Sequence, residues 1–151
     1  MWLHVALLAF APLASAQTFP SIAISWCFEE VQTPYALAVL KEVADGADVH
    51  VPHVWPLEVT NVLVKALRRK QITRDELFEY AAQLGGLRIT VDAESAVRAF
   101  GPVLALAERH QLTTYDASYL ELAQRRGIPI ATADGNLIQA AGGVKVAIFQ
   151  V

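Results

Sequence analysis

Glu58, Asp116 and Asp134 are the side chains whose type and placement suit chemistry on a charged substrate. Asp116 lies in the first turn of an apolar-periodic run (Ala117, Tyr119, Leu120, Leu122, Ala123) that stops at Arg125-Arg126-Gly127. Asp134 ends the short apolar stretch Ile128 to Ala133 that follows, and Glu58 sits just after the valine-rich alternation Asp48 to Trp55. Carboxylates held close together repel, and they stay ionised only when a cation or a shared proton relieves them. Gathered at one place, the three would form a divalent-metal site. Singly, each has a plainer role: Asp116 as an acid favoured by a helix dipole, Asp134 as the opener of a Thr-Ala-Asp-Gly turn. Both alternatives stand for either residue alone.

The elements that must position them follow from local chemistry. Thr113 or Thr114 can cap a helix, and Gly127 is the residue type that ends one in a left-handed conformation. A helix of about ten residues rises roughly 15 Å and six strand residues span roughly 20 Å, so the two can run antiparallel in a layered domain. Asp116 and Asp134 are then expected at one rim, the carboxyl end of the strands, where open α/β sheets place their ligands. Pro56 opens another helix, with Leu57, Val59, Val62, Leu63, Ala66 and Leu67 at helical spacing, and Glu58 in its first turn joins the same rim.

The 151 residues suffice for one domain with a proper core. Hydrophobic residues make up 54% of the chain and the mean hydropathy is +0.36, which suits a sheet buried on both faces. A formal net charge of -3 argues against a general electrostatic grip on nucleic acid, so any phosphate binding must be local. The single cysteine, Cys27, excludes an internal disulfide and a cysteine metal cage. His4, His50, His53 and His110 show no metal-ligand spacing.

Along the rest of the chain, Ser21 to Phe28 suits a short helix. Thr33-Pro34 starts an amphipathic one with a core face of Leu37, Val39, Leu40 and Val43. Asp48 to Trp55 reads as a strand despite Pro52. Thr73 with Glu76 makes a capping box for a helix over Arg74 to Leu84. Arg88 to Val91 is a short strand, and Asp92 with Ser95 begins a helix towards His110 that Pro102 should break or kink. Asn136 to Ala141 suits a short helix and Lys145 to Phe149 a last strand. Alternating strands and helices imply an α/β domain with a mainly parallel central sheet between helical layers. There is no Gly-rich phosphate loop and no Gly-x-Ser-x-Gly elbow.

Three motifs in this order, PLEVTNVL around Glu58, TTYDASYLELA around Asp116 and IATADGNL around Asp134, resemble the PIN-domain ribonucleases, in particular the VapC-like toxins of toxin-antitoxin pairs. The similarity extends from about Ser21 to the carboxyl terminus. It implies a three-layer α/β/α fold and a cluster of about four acids that holds Mg2+ or Mn2+ and cleaves RNA. Glu58, Asp116 and Asp134 would be three of those acids and the metal ligands. Asn61 matches a polar position that can orient the site, and Thr132 shares a strand face with Asp134. An ordinary hydrogen bond at a helix or strand end accounts for either of these two equally well. The resemblance also implies a cognate antitoxin, an RNA substrate and a cytoplasmic protein. Apolar helix faces beyond the needs of the core suit a homodimer, and the apolar run Val5 to Ala14 is too short to span a bilayer, so no membrane association is expected.

The departure lies at the amino terminus. Ser21 and Trp26 stand where the family has its Ser and Trp, and Phe19 occupies the position of the first acid. Residues 1–19 carry an apolar run followed by Ala14-Ser15-Ala16, a small-residue cleavage pattern, so they are set apart as a signal-like or non-native segment before a domain over 20–151. The first strand is accordingly expected to be missing or altered. Phenylalanine cannot ligate a metal ion. One alternative is therefore a catalytically impaired module that still binds its antitoxin, using apolar helix faces such as Val59 to Leu67 or the set Phe78, Tyr80 and Leu84. Another is an exported protein of unrelated role. Lys65, Arg68, Arg69 and Lys70 either guide RNA or complement a helix dipole as solvated cations.

Overall fold

The computed structural model describes residues 4–7, 22–28 and 32–150. Four parallel strands, β1 (His4–Leu7), β2 (Asp48–Pro52), β3 (Ile89–Asp92) and β4 (Ile130–Ala131), form a sheet in the order β3-β2-β1-β4. Helices α1 (Ile22–Ser25), α2 (Pro34–Ala44), α3 (Trp55–Arg68), α4 (Arg74–Gly85), α5 (Leu104–His110), α6 (Thr114–Arg126) and α7 (Gly135–Gly143) connect and cover them in a three-layer α/β/α arrangement. Parallel neighbours need such crossovers, and helices on both faces bury the strands, as the enclosure of Val49, Val51 and Ile130 shows.

The capping signals act as read. Thr33 accepts from the Ala36 amide, with Pro34 at the first helical position of α2. Thr73 and Glu76 complete a reciprocal capping box on α4. Gly127 closes α6 at φ 64°, a left-handed conformation that glycine adopts without a Cβ penalty.

Several expectations shift. His4–Leu7 lies within the segment set apart as signal-like, yet its backbone occupies the centre of the sheet, with His4 opposite Asp48 and Ala6 opposite Ile130. Phe19 lies outside the described residues. The helix expected from Asp92 towards His110 is instead a run of turns, a π-helical segment over Ala99–Val103 that contains Pro102, and α5. A proline lacks the N–H of a regular α-turn, and the wider π-turn accommodates it. The final strand reduces to one bridge between Ile148 and Ile130. On α2 the buried face is Ala36, Val39 and Val43, while Leu37 points outward. Val59, Val62, Leu63 and Ala66 of α3 enter the chain's own core, so that face is spent on folding; Phe78 remains exposed.

Candidate active site at the carboxyl rim of the sheet

β2 delivers the chain into α3, where Glu58 falls in the first turn and its amide bonds to the Val54 carbonyl at 3.0 Å. Across the rim, α6 begins at the Thr113 cap. The Asp116 amide donates to Thr113 Oγ1 at 3.1 Å and the Thr113 hydroxyl donates back to Asp116 Oδ2 at 2.6 Å. Asp116 is only 5% exposed, and it sits where the helix dipole favours an anion. One turn on, Tyr119 is fully buried and its hydroxyl donates to Glu58 Oε2 at 2.6 Å.

Glu58 and Asp116 are thus brought together, with Tyr119 as the link. Burial raises the Glu58 carboxyl, the Tyr119 hydrogen bond pulls it partly back and the Asp116 charge raises it again, to about 7 in all. A carboxyl whose ionisation is opposed by burial and by a neighbouring carboxylate is the electrostatic setting a divalent cation relieves. Asp134 is held differently. It is the N-cap of α7, its Oδ1 accepting the Leu137 amide at 2.8 Å, while its own amide bonds to Thr132 Oγ1 at 3.0 Å. Among the described residues no three His, Cys, Asp or Glu side chains converge closely enough to hold a metal ion. The pair still fits Mg2+, which keeps several waters and commonly takes one or two carboxylates with substrate phosphates.

Of the supporting residues, Thr132 is buried and serves Asp134 through that hydrogen bond, whereas Asn61 is exposed on α3. Arg68, Arg69 and Lys70 are exposed at the far end of α3, and ten residues of helix put about 15 Å between Glu58 and Arg68. They end the helix opposite the carboxylates, as cations complementing its dipole do.

Sequence reasoning took Tyr119 for a core residue. Its spacing of three from Asp116 on a helix and the need of a buried tyrosine hydroxyl for a partner were the available signals. It also missed a buried ionic cluster behind the rim. Arg125 and Arg126 donate to Asp92 at 2.7 and 3.1 Å, and Arg98 and Arg125 both reach Glu121, at 2.6 and 3.1 Å. The Glu121–Arg125 spacing of four was the visible hint. Ser95 adds a tie by accepting from the His53 amide at 2.8 Å and donating to the Asp92 carbonyl at 2.9 Å.

The raised Glu58 carboxyl makes stability depend on pH. Between about 4.5 and 7 the unfolded chain gives up this proton while the folded chain keeps it. Folded stability therefore falls as pH rises through that window and levels off above it. In EDTA, Glu58→Gln should melt above the parent at pH 8, with the gain gone at pH 4.5. A variant no more stable at pH 8 than at pH 4.5, relative to the parent, would contradict the shift.

Comparison with known proteins identifies the family of the chain. The family described as PIN domain matches residues 21–143. Ribonuclease VapC12 of Mycobacterium tuberculosis is 30% identical over 115 residues, covering 73% of this chain and 81% of that protein. Ribonuclease VapC3 of Pyrobaculum aerophilum is 28% identical over 99 residues, covering 66% and 76%. Among solved structures, PAE2754 from Pyrobaculum aerophilum superposes with a TM-score of 0.63 at 18% identity, covering 97% of this chain and 83% of that one. FitAcB from Neisseria gonorrhoeae does so with a TM-score of 0.57 at 17% identity, covering 98% and 97%. Both structural likenesses concern the fold. The chain belongs to the PIN-domain family, as a VapC-like member.

Proposed function

We propose that the chain is an endoribonuclease of the toxin-antitoxin type that uses Mg2+ or Mn2+. The observation that carries this is the Glu58–Asp116 pair, close enough that the charge of one raises the other, in a chain whose curated relatives are named ribonucleases. Glu58 and Asp116 would hold the cation, with Asp134 on the neighbouring helix start as a third acid of the rim. The cation would neutralise phosphate charge that the carboxylates alone repel, and would make water a better nucleophile.

The protein's own part is positioning. The Thr113 hydroxyl fixes one oxygen of Asp116, leaving the helix start to supply a positive dipole end beside the anionic substrate. Tyr119 holds Glu58 from behind and favours its ionised form. Tyr119→Phe should therefore cut the cleavage rate about tenfold and move the pH midpoint of activity upward, because the bond that lowers the Glu58 pKa is gone. A pH–rate profile superimposable on the parent's would refute that role.

A small antitoxin protein and a second copy of the chain are the partners of this proposal, and the cytoplasm its place of action. No helix among the described residues is long and apolar enough to cross a membrane. Val97, Phe100 and Leu104, on successive turns, remain exposed, Phe100 at 93%, and offer an apolar surface for such a protein to cover. The test is to separate the purified chain from any bound small protein and incubate it with single-stranded RNA in Mg2+ and in EDTA. Cleavage only with the cation supports the proposal. Intact RNA in both favours the impaired module that Phe19, at the position of the family's first acid, suggests.

A further inference from the structure

The end of α5 and the outer side of α7 enclose a half-open cleft of about 430 Å3, lined by Arg109, His110, Gln111, Asn136, Gln139 and Ala140. That volume lies within the roughly 300–1,000 Å3 of small-ligand pockets. One end adjoins the acidic rim: Asn136 is two residues past Asp134, and Gln111 two residues before the Thr113 cap that holds Asp116. Gln111 turns the chain there in a left-handed conformation, φ 54° and ψ 37°, uncommon for a residue with a side chain. The imidazole of His110 packs on Gly143, where a Cβ would stand 3.1 Å from its Cε1. Its Nε2 is buried and meets no hydrogen-bond partner among the described residues.

The lining is chemically distinct from the rim beside it. It carries no carboxylate, one guanidinium, one imidazole and three primary amides. Each amide both donates and accepts, as the edge of a nucleobase does, and a guanidinium matches phosphate geometry. A histidine ring is also a face on which single-stranded RNA bases stack. An acidic peptide would find the guanidinium but would meet repulsion from Asp116 and Asp134. RNA brings its phosphates to those acids with a cation.

We propose that this cleft is a nucleotide subsite for single-stranded RNA, seating a nucleotide beside the scissile phosphate, with Arg109 on a phosphate oxygen and Gln111, Asn136 and Gln139 reading the base. The subsite rests on the ribonuclease function proposed above. It gives the chain a base preference next to the cut, while the carboxylates treat every phosphate alike.

The test combines Arg109→Ala with Gln139→Ala, both at exposed positions. In an Asp116→Asn background, which slows cleavage, a fluorescein-labelled single-stranded RNA of about ten nucleotides is titrated by anisotropy in EDTA. The double substitution should weaken binding about tenfold or more, and in the otherwise native chain it should relax the base preference at the cut. Unchanged affinity and an unchanged cleavage pattern would overturn the subsite while leaving the ribonuclease standing. Retained RNA affinity with loss of a co-purifying small protein would assign the cleft to that protein instead and overturn the proposal. A parent chain that neither binds nor cuts RNA would overturn the ribonuclease itself, and the subsite with it.

Discussion

Asp116→Asn should lower cation-dependent RNA cleavage by about 10^2-fold or more and leave the fold intact. The asparagine oxygen can still accept from Thr113, and the Thr113 cap on the 116 amide is untouched, so the start of α6 keeps its hydrogen bonds. What disappears is the negative charge. That charge now raises Glu58 and would share a divalent cation with it. Removing it lets Glu58 ionise more readily yet leaves one carboxylate where two stood. Loss of cleavage with an unchanged or raised melting temperature is therefore the expected pair of results. Full activity in the substituted chain would place the reaction elsewhere.

Asp92→Ala should produce the largest loss of stability, about 3–5 kcal/mol. Asp92 is 1% exposed at the carboxyl end of β3, and it receives guanidinium donors from Arg125 and Arg126 of α6. Truncation takes the buried anion away from Arg125, whose side chain is 16% exposed, and the penalty of uncompensated charge falls there, while the exposed Arg126 turns to water. Arg125 retains Glu121, so the neighbouring part of the cluster survives and the loss is bounded. Burial alone would raise the Asp92 carboxyl, but the bonds from Arg125 and then Arg126 outweigh it and hold it below the usual carboxylate range. Its stabilisation is thus fully present above the unfolded value of about 3.9 and is lost as pH falls through the lower folded value. Urea unfolding at pH 7 measures the first effect. The difference between parent and variant should shrink only in strong acid. A loss under about 1 kcal/mol at pH 7 would mean that the cluster behaves as a surface ion pair.

The same cluster gives α6 its fixed place. Asp92 on β3, Arg98 before the π-helical segment and Glu121 with Arg125 on α6 join elements far apart in sequence. Asp116 and Tyr119 ride on the first turns of that helix. A clamp on its second half therefore determines where the carboxylate and the hydroxyl that meets Glu58 come to rest. Subangstrom placement of such groups depends on support of this kind.

The parts of this structure written in local rules were legible in the sequence. Capping at Thr33, Thr73 and Thr113, the glycine stop at Gly127 and the placement of Glu58 and Asp116 in first turns each depend on a few adjacent residues. β1 was hidden for a physical reason. A central parallel strand reads as a continuous apolar run, the same composition as the core of a secretion signal. The break at Pro102 was legible, but the final strand and the helical start at Asp92 were misjudged because pattern does not reveal how much pairing or regular winding the surrounding packing permits. Apart from the Glu121–Arg125 pair, the ion cluster and the Tyr119–Glu58 bond depend on residues 23 to 61 positions apart. Only the fold brings those together.

The most direct test of the central claim, that Glu58 and Asp116 form a cation site, is an electron paramagnetic resonance titration with Mn2+ on the purified chain and on a Glu58→Gln, Asp116→Asn double variant. The pair predicts a saturable Mn2+ site in the parent, weakened about 10^2-fold or more in the double variant, whose fold persists by circular dichroism. Equal Mn2+ affinity in both chains would contradict it.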